Sequence, residues 1–251
     1  MLLENKVALV TGGARGIGAS ICRVLAREGA AVAINYSSSA DKADALVAEI
    51  AAAGGRAAAF AADVRDPDAV RAMVESVVAT FGRLDAVVNN AIAGRQMGTL
   101  DESTLDDYAQ AFDFGCKAVV NTVAAARPHM ARQGGGRIVN IVTEIWNGGP
   151  GGWSVYLAGK GAMVGVSRSL AQELGLDNIT VNMIAPGWMA TETVDTHSDA
   201  SRSYARSVPL GRQGHAEEIG KACVFFLSDL ASFVSGAYLP VTGGRVTQTG
   251  T

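Results

Sequence analysis

The chain alternates short, continuously apolar runs with longer alanine-rich stretches whose apolar positions recur at helical spacing. We predict strands at residues 7–11, 31–35, 57–62, 86–90, 137–142, 180–185 and 237–241. Strands that are apolar at every position are typical of a parallel sheet covered by helices on both faces. Amphipathic helices such as 40–53 and 68–81 lie between them. The pattern therefore predicts an α/β fold with a doubly wound parallel sheet of about seven strands.

Because no linker or low-complexity tract interrupts this rhythm, we predict a single domain over residues 1–251. The exception is residues 188–209, a polar stretch with few apolar positions, which we call the lid segment. Such a stretch indicates a mobile loop or short helix over a binding site. We therefore expect the substrate site to lie beside it.

Composition and charge exclude several classes of protein. The net charge of −3 does not favour nucleic acid or acidic membranes as partners. No apolar run approaches the ~18 residues that cross a bilayer, and the N-terminus lacks the pattern of a signal peptide. Cys22, Cys116 and Cys223 are widely spaced and form no metal-ligand pattern. We expect a cytoplasmic protein without a metal site.

A glycine-rich turn follows the first predicted strand and precedes a helix, with the sequence Thr11-Gly12-Gly13-Ala14-Arg15-Gly16-Ile17-Gly18. Backbone amides in such a turn, together with the positive end of the helix, bind pyrophosphate. Glycines also occur in ordinary strand-to-helix turns, but the strand–turn–helix context favours a Rossmann-type dinucleotide site. The predicted contacts are Gly12, Arg15, Gly16, Ile17 and Gly18.

The end of the second strand bears on the choice of cofactor. Enzymes that use NAD usually carry an acid there, which binds the ribose hydroxyls. This chain instead has Asn35, Tyr36 and then three serines, and Arg15 adds a cation. We predict NADP(H), with Ser37 and Arg15 near the 2′-phosphate. The alternative is that the serines only cap the next helix and that Arg15 is solvated.

Tyr156 and Lys160 form the second chemical signal, because a spacing of four places both on one helical face. A nearby ammonium favours the phenolate, so we expect Lys160 to lower the pKa of Tyr156 and to fit it for proton transfer. Tyrosine–lysine pairs on helix surfaces usually have no function. This pair follows the fifth strand, downstream of the glycine turn, and that context favours catalysis.

Together, the TGxxxGxG turn, the YxxxK pair and the closing segments 226–232 and 241–244 resemble the short-chain dehydrogenase/reductase family, particularly its 3-oxoacyl carrier-protein reductase branch. The resemblance covers essentially the whole chain. It implies hydride transfer between NADP(H) and a carbonyl or alcohol. It also implies that Thr143, where the family has serine, donates to the substrate oxygen. A strand-end threonine of purely structural role is the alternative.

The resemblance implies further contacts and an assembly. Cofactor contacts are expected at Asp63, Val64, Asn90, Tyr156, Lys160, Gly187, Met189 and Thr191. The family also implies a homotetramer that packs through residues 101–132 and 155–174. Trp146, Trp153 and Trp188 would border the substrate pocket and favour an apolar or ring-bearing substrate, unless they only fill interfaces.

Two residues depart from the family pattern. Gly115 stands where the family has an asparagine that supports a proton-relaying water, and Ile92 stands where it has glycine. If the relay is interrupted, Gly115→Asn would raise turnover. The alternative function is a catalytically weakened NADP-binding or sensing protein. Cofactor-free elimination, as in halohydrin dehalogenases, is disfavoured because the glycine turn and Lys160 are intact.

Overall fold

The apolar runs form a parallel sheet in the computed structural model, which describes residues 1–94 and 97–245. Residues 95, 96 and 246–251 of the predicted domain lie outside the described residues. The strands of the sheet are β1 (Val7–Val10), β2 (Ala31–Tyr36), β3 (Arg56–Ala61), β4 (Ala86–Asn89), β5 (Gly136–Ile141), β6 (Ile179–Pro186) and β9 (Tyr238–Val241). Two shorter strands, β7 (Met189–Ala190) and β8 (Gly214–His215), pair separately. The predicted doubly wound sheet of seven strands is confirmed.

Helices connect the strands and cover both faces of the sheet. They are α1 (Gly16–Arg27), α2 (Ala40–Ala52), α3 (Pro67–Phe81), α4 (Leu105–Phe112), α5 (Ala118–Arg132), α6 (Ser154–Glu173), α7 (Asp199–Ser207) and α8 (Ala216–Leu227). One core lies between the sheet and α1, α2 and α8. The other lies between the sheet and α3, α5 and α6. Burial on both faces explains why the central strands are mostly apolar.

The strand order β3-β2-β1-β4-β5-β6-β9 places β1 beside β4. At this point the connections reverse direction, which leaves a crevice at the carboxyl ends of the two strands. Ligands of open α/β sheets bind at such a switch point. The glycine turn after β1 and residues 90–94 after β4 border this crevice. The topology therefore directs attention to the site predicted from the sequence.

A π-helical turn, Asp113–Lys117, joins α4 to α5 and contains Gly115. Single π turns inside helices widen the backbone locally and occur frequently at functional sites. This turn packs against α6, the helix that carries Tyr156 and Lys160. The departure at Gly115 therefore lies in an irregular turn next to the catalytic helix.

A chain of buried polar side chains holds α5 and α6 against the sheet. Asn89 Nδ2 donates to Asn140 Oδ1 at 2.8 Å, and Thr122 Oγ1 donates to Asn89 Oδ1 at 2.7 Å. Asn140 Nδ2 in turn donates to Ser167 Oγ at 2.7 Å. Buried polar groups that satisfy one another specify a single arrangement. The network therefore fixes the position of α6 relative to the strands.

Over the described parts of the chain, none of the helices combines the length and the apolar character that spanning a membrane requires. The same residues contain no cluster of three or more histidine, cysteine or carboxylate side chains that would suit a metal ion.

Candidate active site

The glycine turn depends on a close approach of Gly18 to the backbone of Gly12 and to the side chain of Asn90. A Cβ on Gly18 would overlap the carbonyl oxygen of Gly12 and would lie 2.7 Å from Asn90 Nδ2. That nitrogen donates to the carbonyl oxygens of Thr11, at 3.0 Å, and Gly12, at 3.2 Å. Asn90, which directly follows β4, therefore stabilises the glycine turn and also lines the cleft beside it.

Asn35 has a different role from the one its position suggested. Its side chain is buried, accepts a hydrogen bond from the Gly12 amide at 3.2 Å and donates to Ala62 O at 3.0 Å. Asn35 thus ties the turn to β2 and β3 while it lines the base of the cofactor cleft. Tyr36 and the serines at 37–39 line the cleft next to it.

An open cleft of about 500 Å³ extends from the glycine turn towards the lid segment. It brings together many of the predicted cofactor contacts: Gly12, Arg15, Gly16, Ile17, Gly18, Ser37, Asp63, Val64, Asn90 and Thr191. Ile92, one of the two departures, also lines it and is 41% exposed. Its side chain therefore extends into the space beside the predicted ribose contact.

Asp63 already has a strong partner in this structure. Arg65 binds the carboxylate with Nε at 3.0 Å and Nη2 at 2.6 Å, and this hydrogen bonding holds the pKa of Asp63 below its usual value. The guanidinium also lies 5.2 Å from the centroid of the Phe114 ring. An adenine contact through Asp63 would therefore have to share the carboxylate with Arg65.

Glu192 lies at the anion-binding end of the glycine turn, which sequence reasoning missed. The amide of Gly16 donates to Glu192 Oε1 at 2.7 Å. Partial burial raises the pKa of Glu192, but the Gly16 amide and other contacts outweigh it and bring the value below normal. A carboxylate from the lid segment thus uses an amide that a pyrophosphate would use.

Thr143, Tyr156 and Lys160 converge where β5 ends and α6 begins. Thr143 is 5% exposed, and a side-chain hydrogen bond connects it to Tyr156. Burial raises the pKa of Tyr156, and the bond with Thr143 opposes that rise only in part. The sequence-based expectation of a lowered pKa for Tyr156 is therefore wrong for this structure.

Lys160 is buried, and its Nζ donates to the carbonyl oxygen of Ile141 at 2.6 Å. Burial lowers the pKa of Lys160 to about 8. The ammonium lies 5.9 Å from the centroid of the Tyr156 ring, on the same side of α6. The predicted pairing of Tyr156 with Lys160 on one helical face is thus present, at a separation wider than direct contact.

A cavity of about 20 Å³ adjoins Lys160, enough for a single water molecule. Its walls are mostly apolar and comprise Ala91, Ile92, Ala93, Ala111, Phe114, Gly115, Tyr156, Gly159, Lys160 and Met163. A Cβ on Gly115 would overlap the carbonyl oxygen of Gly159. An asparagine side chain does not fit here, so the structure reverses the expectation that Gly115→Asn would help turnover.

The three tryptophans have different surroundings. The Trp153 ring meets Tyr156 edge-on at 5.6 Å, and the Trp188 ring meets Tyr204 at 5.5 Å. Trp146 packs against α6 at Gly161, where a Cβ would overlap its ring. Trp153 therefore lies beside the catalytic tyrosine and Trp188 beside Tyr204 of α7, whereas Trp146 mainly fills a helix contact.

The segment after β6 approaches the same end. Gly187 donates to Val241 O at 3.1 Å, and the side chain of Met189 is buried towards Gly214, so only its backbone is available to a nicotinamide. Thr191 lines the cleft, and its hydroxyl lies 3.2 Å from that of Thr193.

The family model described as enoyl-(acyl carrier protein) reductase matches residues 12–245, from the glycine turn to the end of the described chain. The chain belongs to the short-chain dehydrogenase/reductase family. The resemblance read from the motifs is confirmed, and the chain is an oxidoreductase of the 3-oxoacyl reductase-like branch.

Relatives match this family member over nearly its whole length. It is 40% identical over 243 residues to a 3-oxoacyl-[acyl-carrier-protein] reductase FabG of Staphylococcus aureus, covering 96% of this chain and 98% of that protein. A short-chain dehydrogenase/reductase from Serratia marcescens is 35% identical with a TM-score of 0.89, covering 99% and 100% of the two chains. A blue fluorescent protein from a metagenomic library, in complex with NADPH, is 37% identical with a TM-score of 0.88, covering 98% and 99%.

Proposed function

We propose that the protein is an NADPH-dependent reductase of a 3-oxoacyl or other ketone substrate, able to run as an alcohol dehydrogenase in reverse. One observation carries the proposal: the cleft lined by Arg15 and the serines 37–39 shares Ala91, Ile92 and Phe114 with the cavity that Tyr156 and Lys160 line. Tyr156 is in turn bonded to Thr143. No carboxylate stands among the described lining residues at the end of β2. The NADPH complex of one structural neighbour and the 3-oxoacyl reductase names of the relatives support this assignment.

The residues present suit such a cofactor. Amides of the glycine turn would hold the pyrophosphate, and Arg15 with Ser37 would hold the 2′-phosphate. Asp63 and Val64 would border the adenine, Asn90 and Lys160 the nicotinamide ribose, and Gly187, Met189 and Thr191 the carboxamide. When bound, the cofactor supplies the hydride.

The chain's own groups would handle the oxygen and the proton. Thr143 donates to the substrate oxygen as negative charge develops on it. Tyr156 then donates a proton to the alkoxide. The raised pKa of Tyr156 keeps the hydroxyl protonated before cofactor binds, which suits an acid. Lys160, held by the Ile141 carbonyl, supplies the positive charge that stabilises the phenolate left behind.

We further propose that the lid segment closes over the nicotinamide end and that the protein forms a homotetramer. Apolar side chains exposed along α4 and α5, namely Leu105, Phe112 and Val120, suit a subunit contact. Light scattering on the purified protein measures the assembly directly, and a monomer mass would reject this part of the proposal.

The function is tested by NADPH oxidation, followed at its absorbance band, with a panel of 3-oxoacyl thioesters and simple ketones. Tyr156→Phe is the control, because it keeps the ring and removes the acid. Binding of NADPH without consumption of any carbonyl would instead support a weakened NADP-binding or sensing protein. The mostly apolar cavity beside Lys160 favours that second candidate.

Cofactor choice is tested separately with Arg15→Ala. Loss of a charge-assisted contact is worth ~1.5–3 kcal/mol, or about 10- to 100-fold in affinity. We expect NADPH binding, measured by tryptophan fluorescence, to weaken by that factor while NADH binding changes little. Equal losses for both cofactors would reject the assignment of Arg15 to the 2′-phosphate.

A further inference from the structure

We propose that Glu144 is a positioning residue that holds the lid segment closed, through Tyr204 and Arg245, against the loop between β5 and α6 that carries Thr143. The proposal rests on the proposed function for its kinetic consequences. Its structural part concerns the protein without cofactor or substrate and can be tested alone.

Glu144 directly follows Thr143 in the chain and is 4% exposed. Its Oε1 accepts a hydrogen bond from Tyr204 Oη at 3.1 Å and another from Arg245 Nη1 at 2.6 Å. A buried carboxylate is tolerated only where such partners compensate for its lost hydration. The side chains of Tyr204 and Arg245 are therefore held firmly against the Glu144 carboxylate.

Tyr204 connects Glu144 to two parts of the lid segment. It belongs to α7, and its hydroxyl also accepts a hydrogen bond from the Trp188 amide at 2.8 Å. The Trp188 ring packs edge-on against the Tyr204 ring, and the Arg245 guanidinium lies 5.0 Å from the centroid of that ring. The Tyr204 side chain thus connects Trp188 at the start of the lid segment, helix α7 and Glu144.

Gly187 shows how tightly this contact is built. A Cβ at this position would overlap Tyr204 Oη and would lie 3.6 Å from Glu144 Oε1. The chain therefore leaves β6 past the Tyr204–Glu144 pair with no room for a side chain. Any opening of the lid segment that moves α7 has to break the hydrogen bond between Tyr204 and Glu144.

The opposite side of the same loop is anchored independently. Tyr238 Oη, from β9, donates to the carbonyl oxygen of Thr143 at 2.7 Å. Burial, followed by the charge of Glu144, raises the pKa of Tyr238 to about 12, so it remains a donor at neutral pH. The Thr143–Glu144 peptide is thus held by the sheet on one side and by the lid segment on the other. Closure of the lid segment is therefore coupled to the orientation of Thr143.

The structural part is tested by amide hydrogen exchange of residues 188–207 in the cofactor-free protein. Tyr204→Phe keeps the ring and removes both hydrogen bonds, so exchange in this segment should accelerate about tenfold, with other segments unchanged. Asp85→Asn is the matched control: Asp85 is a buried carboxylate paired with Arg83 just before β4, at the amino end of the central strands and away from the lid segment. This control should leave exchange at 188–207 unaltered. Unchanged exchange in Tyr204→Phe would overturn the proposal.

The kinetic part uses Glu144→Gln, Tyr204→Phe and the double variant. We expect Tyr204→Phe to raise KM for the carbonyl about tenfold, with a smaller change in kcat. The double variant should be less impaired than the product of the two single effects, because Glu144→Gln weakens and Tyr204→Phe removes the same hydrogen bond. Multiplying effects would overturn the proposal. If Glu144→Gln fails to fold, Arg245→Gln is combined with Tyr204→Phe, because both side chains donate to Glu144 Oε1 and their effects should again not multiply.

The two parts fail separately. If no carbonyl is ever reduced, the proposed function fails, while the exchange measurement still decides whether Tyr204 and Glu144 hold the lid segment.

Discussion

The backbone of Gly115 packs directly against the carbonyl group of Gly159, and a Cβ on either residue would overlap the facing helix. For Gly159 the overlapped atom is the carbonyl oxygen of Ala111, one turn before Gly115. The π turn and α6 therefore meet without intervening side chains. Since α6 carries Tyr156 and Lys160, this glycine pair sets the distance between the catalytic helix and the wall of the cleft.

We expect Gly115→Ala to lower the melting temperature, although glycine-to-alanine changes inside helices usually stabilise by up to ~1 kcal/mol. Overpacking at a close backbone contact costs about 1–3 kcal/mol and outweighs that gain. Calorimetry measures the change. Gly175→Ala is the control, since no atom lies within 4 Å of a Cβ at that exposed position. A more stable Gly115→Ala protein would show that the two helices separate easily. Gly115→Asn brings a larger side chain into the same contact, and we expect it to lower turnover.

Sequence reasoning succeeded where neighbours along the chain determine the result. The seven strands were found within about two residues because burial on both faces makes most of their positions apolar. The glycine turn and the Tyr156–Lys160 spacing are local patterns of the same kind. Strands β7 and β8 were missed, because two residues leave no recognisable pattern.

The missed site residues all depend on contacts between distant positions. Glu192 is 176 residues from Gly16, and Arg245 is 101 residues from Glu144. Nothing in the local sequence distinguishes these side chains from solvated surface charges. Asn35 offered a weak signal, a polar residue ending an apolar strand, but its bond to the Gly12 amide follows only from the assembled sheet. Long-range pairing therefore marks the limit of what the sequence predicted here.

Glu192 leads to a prediction about cofactor affinity. Its carboxylate occupies the Gly16 amide and adds negative charge where phosphates would bind. A bound cofactor must displace it, so Glu192→Gln should tighten NADPH binding by roughly threefold or more. Fluorescence titration measures this. The same substitution at Glu217, which pairs with Arg27 on the surface, should have no effect. Weaker binding in Glu192→Gln would mean that Glu192 assists the cofactor.

Lys160 leads to a prediction about stability and pH. Its pKa falls from 10.5 in the unfolded chain to about 8 in the folded one. Between these values the folded protein binds fewer protons than the unfolded one, so the contribution of Lys160 to stability rises with pH. At neutral pH the charged lysine destabilises the fold, and Lys160→Met should therefore stabilise it, on the order of 1–3 kcal/mol, while abolishing reduction.

The gain from Lys160→Met, measured as the difference in unfolding free energy from the natural protein, should shrink as pH rises towards about 9.5. Comparing the two proteins at each pH cancels the titration of all other groups. A gain that is constant with pH would show that the lysine is already neutral at pH 7 or that packing of methionine explains it.

Thr143 provides the most direct test of the catalytic assignment. Thr143→Ser keeps the hydroxyl and should retain most activity, whereas Thr143→Val keeps the branched shape and should lose at least ~100-fold in the rate of hydride transfer. Affinity for NADPH should barely change in either variant. Because the bond from Thr143 lowers the pKa of Tyr156, its loss in Thr143→Val should also move the pH profile to higher pH.

Thr180→Val is the control, since the buried Thr180 hydroxyl has no partner among the described residues and lies at the far end of β6. Equal activity of Thr143→Val and the natural protein would make Thr143 structural, and loss of cofactor binding would place it on the wrong side of the cleft.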